Sequence, residues 1–119
     1  MGNTYVMQLC NQADFYNVII NHKKNYMKKF VIERNLPGAG NLTAEELQAI
    51  SESSCEIVNQ LDKPYHWIQS FVTNDKIYCI HIAENEEIIR EHARLGKFPV
   101  TIISEVKATI DPTTGNQLK

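Results

Sequence analysis

The sequence predicts an α+β domain of the ferredoxin-like order β-α-β-β-α-β, with a four-stranded antiparallel sheet carrying two helices on one face. Three observations predict it. Two segments carry helix-start signals at Thr43 and Asn85, four runs rich in β-branched and aromatic residues surround them, and the middle two runs are separated only by the polar pair Asn74-Asp75. A short polar link of that kind marks a hairpin, so one helix falls before it and one after it.

The elements follow in order. Residues 1–26 show no clean period and read as a peripheral or poorly ordered leader, ahead of a domain spanning 27–114 and a tail at 115–119. Phe30, Val31 and Ile32 predict a strand over 29–35, and Leu36-Pro37-Gly38-Ala39-Gly40 ends it with residues that break regular structure. Thr43 and Glu46 have the capping-box spacing, in which hydroxyl and carboxylate satisfy each other's free backbone amides. In the helix they open, Leu47, Ile50, Ser54, Ile57, Val58 and Leu61 share one arc at 100° per residue, which therefore faces a core. Asp62-Lys63-Pro64 stops it. Strands are expected at 65–73 and 76–83. Asn85 caps the second helix, Glu86 and Glu87 complement its dipole, and Gly96 with Pro99 beyond ends it. A last strand is expected over 100–110, before the Asp111-Pro112 turn.

Composition narrows the function classes. With 119 residues there is room for one core, and 43% hydrophobic with 22% charged residues is ordinary globular usage. Twelve basic against fourteen acidic side chains leave no positive field for nucleic acid. No apolar run approaches the roughly 20 residues that cross a bilayer, and nothing resembles a secretory signal, so the expected setting is the cytoplasm. The cysteines, Cys10, Cys55 and Cys79, are odd in number and lack C-x-x-C spacing, which speaks against a disulfide framework or a zinc knuckle.

Strand alternation sorts side chains between the two sheet faces. If the smoother aliphatic sets lie beneath the helices, the opposite face presents Glu33, Trp67, Gln69, Phe71, Cys79 and His81. Aromatic walls with a few polar heads suit a pocket or a dimer interface. Sheet faces left uncovered by helices often pair, so a homodimeric α/β barrel is expected. On the second helix His92 sits in the arc of Ile88, Ile89 and Leu95 and points inward.

Two chemistries are open. Cys79 and His81 at i, i+2, with Glu33 and His92, offer thiolate, imidazole and carboxylate donors to a late first-row divalent ion such as nickel, copper or zinc. The plainer reading makes Cys79 a small hydrophobe, His81 and Glu33 solvated residues, and His92 a core histidine bonded to a carbonyl. Alternatively, Trp67, Gln69 and Phe71, with Tyr78 nearby, surround an organic ligand and Glu33 or His81 serves as base, as in cofactor-free oxygenases and isomerases. Cys55 reads as packing, His22 and His66 carry little information, and residues 37–40 form a turn, because no phosphate-loop pattern follows.

The stretches KKFVIERNLPGAGNLTAEELQAIS, FVTNDKIYCIHIAENEEIIREHARLGKFP and ISEVKATIDPTT closely resemble a bacterial family of small domains that includes nickel-binding, ferredoxin-like proteins. The resemblance covers residues 27–114 and implies a dimeric, nickel-binding domain in metal sequestration or response, with no established enzymatic activity. Glu33, Cys79 and His92 fall inside the matching phrases. The leader has no counterpart in them.

Overall fold

A computed structural model describes residues 27–116. Strand β1 (Lys28–Asn35) leads through a short turn of 3-10 helix at Ala39–Asn41 to helix α1 (Ala44–Gln60). The hairpin β2 (Tyr65–Val72) and β3 (Lys76–Ala83) follows, then helix α2 (Glu86–Gly96) and strand β4 (Ile102–Glu105). The sheet order is β2-β3-β1-β4 with antiparallel pairing throughout, the ferredoxin-like arrangement that the element order implies. The leader, with Cys10 and His22, lies outside the described residues, as do the last three residues of the tail.

The caps form as their residues dictate. The Thr43 hydroxyl accepts from the Glu46 amide at 3.1 Å, while the Glu46 carboxylate accepts from the Thr43 amide at 2.9 Å, closing the box at the start of α1. Asn85 Oδ1 accepts from the Ile88 amide at 3.0 Å at the start of α2. The end of α2 departs from expectation. Gly96 is the last helical residue, and Lys97 carries the left-handed turn at φ 57°. Gly96 is required for space instead: a Cβ there would stand 2.3 Å from the Phe98 ring and 2.7 Å from Ile57 Cδ1, which lets α1 and Phe98 close on α2. Strand β4 is also shorter than expected, because it pairs only with β1. Its last bond runs from the Val106 amide to Lys29 O, one residue from the start of β1, and pairing ends there.

Burial shows which sheet face lies under the helices. Phe30, Ile32 and Arg34 on β1, and Ile77, Cys79, His81 and Ala83 on β3, are buried, and they alternate with partly exposed neighbours. Direct cross-strand partners Phe30 and His81, and Ile32 and Cys79, share that face with the core residues Val58, Tyr65, Ile88 and Ile89. Burying each large aliphatic side chain there stabilises the fold by about 1.5–3 kcal/mol. Glu33 pairs with Tyr78 on the opposite face.

The face assignment from alternation is therefore corrected. Cys79 and His81 lie beneath the helices, while Glu33, Gln69 and Phe71 lie on the far side of the sheet. Two causes act. The register of β2 slips between Trp67 and Gln69, a bulge at Ile68, so Trp67 faces the helices with His81 while Gln69 and Phe71 pair with Ile80 and Tyr78. In addition, the polar side chains beneath the helices find hydrogen-bond partners there, which removes the penalty that would otherwise keep them out.

Candidate ligand pocket beneath the helices

Between the helix layer and the sheet lies a pocket of about 290 Å³. Helix α1 contributes Leu47, Ile50, Ser51 and Ser54, and β2 contributes Trp67, Ser70 and Val72. Strand β3 adds Ile77, Cys79 and His81, and His92, Phe98 and Pro99 close the side beneath α2. Most of the wall is hydrocarbon, with a concentrated polar strip formed by Arg34, Cys79, His81, His92 and Ser54.

The strip is tightly bonded. Tyr65 Oη lies 2.5 Å from His81 Nδ1, and both residues are fully buried. The phenol is held far above its ordinary range, chiefly by burial, and so keeps its proton. Phenol O–H is the better donor and imidazole nitrogen the better acceptor, so the bond runs from Tyr65 to His81. The His81 ring is pushed well below the usual histidine range by burial first, then by His92, Arg34 and His66. His92 stacks on Tyr65 with ring centroids 4.9 Å apart and stands edge-on to His81 at 5.4 Å. Its Nε2 is 3.2 Å from Ser54 Oγ, while Nδ1 is buried without a hydrogen-bond partner among the described residues. Burial lowers its pKa to about 4, against the contrary pull of Ser54. At neutral pH both rings are uncharged and one nitrogen of His92 is unused.

Arg34 reaches the same strip from β1. Its Nε donates to Cys79 Sγ at 3.3 Å and its Nη1 to Pro99 O at 2.8 Å, while the guanidinium carbon lies 5.6 Å from the centre of the Phe98 ring. It is 5% exposed. Trp67 Nε1 donates to Ser70 Oγ at 3.0 Å across the bulge.

Of the four residues expected as metal donors, the fold brings Cys79, His81 and His92 to one pocket and leaves Glu33 on the other face, where its carboxylate is 2.6 Å from Lys76 Nζ. Of the three expected to hold an organic ligand, Trp67 lines the pocket and Gln69 and Phe71 do not. Sequence reading missed Arg34, Tyr65 and Ser54 as members of the site. The available signal was the alternation Phe30, Ile32, Arg34 on β1, which places a cation on the strand's most apolar side. The donor types match a borderline-soft divalent ion. Their present disposition does not: among the described residues, no three His, Cys, Asp or Glu side chains are arranged to hold a metal ion.

The fold and pocket define a small ferredoxin-like domain with a largely hydrocarbon cavity between its two layers, crossed by one nitrogen- and sulfur-bearing strip. Within that class, the chain belongs to the SCO4226-like family, described as nickel responsive protein SCO4226-like, whose family model matches residues 30–106. Among solved structures the chain is similar to SCO4226 from Streptomyces coelicolor A3(2), with a TM-score of 0.59 and 16% identity over 69% of this chain and 99% of that one. At that identity the likeness establishes the fold. None of the curated proteins compared matches the chain. No helix among the described residues is long and apolar enough to cross a membrane.

Proposed function

We propose that this chain is a small metal-binding protein that takes up nickel, or another late first-row divalent ion, in metal sequestration or response. Cys79, His81 and His92 are the donors. One observation carries the reading: a thiol and two imidazoles kept unprotonated by burial meet on one pocket wall, in a family described as nickel responsive. A neutral imidazole has its lone pair available, the form in which histidine ligates metals. His92 can offer its unused Nδ1, whereas capture by His81 requires its Nδ1 to release Tyr65, and the Arg34 guanidinium opposes a second positive charge nearby. Affinity in the micromolar range is expected. The chain acts in the cytoplasm as a homodimer joined through the sheet face turned away from the helices, where the half-exposed Phe71 lies.

Calorimetric titration of tag-free protein with Ni²⁺ tests the reading. Saturable heat with a stoichiometry near one per chain is expected, and Cys79→Ser with His92→Asn should weaken it at least tenfold. Absence of saturable heat from folded protein would remove the proposal. The alternative, a small-molecule-binding or cofactor-free oxygenase-like barrel dimer, keeps Trp67 and His81 at its pocket and draws support from the largely hydrocarbon wall.

A further inference from the structure

Among the described residues, Arg34 is a charge without a counter-charge. A guanidinium offers five N–H donors in a planar fork, and here two bonds are made, one to a carbonyl oxygen and one to a thiol sulfur. Each carboxylate ion pair among the described residues engages a different cation: Lys76 with Glu33, Arg90 with Glu86, Arg94 with Glu91 and Lys107 with Glu105. Buried arginines are normally paired, because an isolated charge out of water is costly. Arg34 is also, among the described residues, the only Asp, Glu, Lys or Arg on the pocket wall. Away from it the wall is hydrocarbon, with Leu47 and Ile50 from α1 facing Trp67 and Val72 from β2. The volume, about 290 Å³, falls just short of the smallest drug-sized sites, which run roughly 300–1,000 Å³, and so suits a ligand of few atoms.

We infer that the pocket binds a small organic monocarboxylate, its carboxylate on the free edge of the Arg34 guanidinium and its apolar body against Leu47, Ile50, Trp67 and Val72. The planar fork matches a carboxylate in a way that a lysine ammonium cannot. The hydrocarbon wall excludes strongly hydrated inorganic anions and rewards a chain or ring of several carbons. The carboxylate site rests on the pocket and not on the nickel reading. The two meet at one point, since an anion on Arg34 cancels the charge that opposes a cation beside Cys79.

Trp67 is the single tryptophan of the chain and lines the pocket, so its fluorescence reports occupancy directly. Full-length, tag-free protein, treated with chelator and dialysed, is titrated with hexanoate and benzoate and separately with hexanamide and benzamide. The amides keep shape and lose charge. At least one acid should give a saturable change in Trp67 emission at least tenfold tighter than its amide. Arg34→Gln should abolish that preference, and Arg34→Lys should retain only part of it. Equal affinity for acid and amide, no saturation by either acid at millimolar concentration, or an undiminished preference in folded Arg34→Gln would each overturn the inference. If Arg34→Gln does not fold, the acid-to-amide ratio of the unmodified protein decides. Because metal is absent throughout, failure here leaves the nickel titration unaffected, and success does not depend on it.

Discussion

The two faces of the sheet use similar residues to opposite ends. Beneath the helices, Arg34, Cys79, His81 and His92 are nearly inaccessible, and each polar group is fixed by a neighbour or left conspicuously unused. On the far face Glu33 and Lys76 form an ion pair that water can reach, and Phe71 is half exposed. A hydrogen bond or a charge therefore has different consequences on the two sides. In water an ion pair is screened and nearly neutral in stability, whereas beneath the helices a charge or lone pair left unmatched carries its full desolvation cost.

That contrast sets the order of expected effects. Ile32, fully buried beneath the helices, should cost about 2–5 kcal/mol on replacement by alanine, while Phe71→Ala on the other face should cost much less, as read from urea midpoints. Equal losses would mean that the faces are not distinct. Gly96→Ala should cost about 1–3 kcal/mol, since the new methyl meets Phe98 and Ile57, and it should also shift near-UV dichroism from the aromatic cluster.

Acid should act through the buried imidazoles. His92 ionises near 4 when folded and near 6.5 when unfolded, so below pH 6.5 the unfolded chain binds the proton first and stability falls until the pH reaches about 4. By pH 5 the loss from this group is on the order of 2 kcal/mol. His92→Asn should flatten that limb of the stability curve, and an unchanged slope would refute the burial argument. Glu33→Gln, which breaks the Lys76 pair on the far face, should change stability by less than about 1 kcal/mol.

How much of this could be read from sequence depends on the kind of signal. The Thr43 and Asn85 caps, the Asn74-Asp75 hairpin and the inward His92 are local, and the chain states them directly. The side of the sheet is a different matter. Alternation grouped Cys79 with His81 correctly, because they are two residues apart on an unbroken strand. It joined Trp67 to Gln69 and Phe71 wrongly, because an extra residue at Ile68 reverses the phase and nothing in the local sequence announces the bulge. It also put Glu33 with Cys79, although the two lie on opposite faces of the β1–β3 ladder, because it chose the helix-facing side by smoothness of hydrophobicity. On β3 that rule fails, since Cys79 and His81 lie on the buried side, where Tyr65, Ser54 and Pro99 O, distant in sequence, satisfy polar groups. Those partners exist only once the chain has folded.

The proposed placement of metal donors beneath the helices is tested most directly by comparing Ni²⁺ titrations of three tag-free proteins: the unmodified chain, Glu33→Gln and Cys79→Ser. Saturable binding that Glu33→Gln preserves and Cys79→Ser weakens at least tenfold is the expected result. Binding lost in Glu33→Gln and kept in Cys79→Ser would locate the ion on the other face and contradict it.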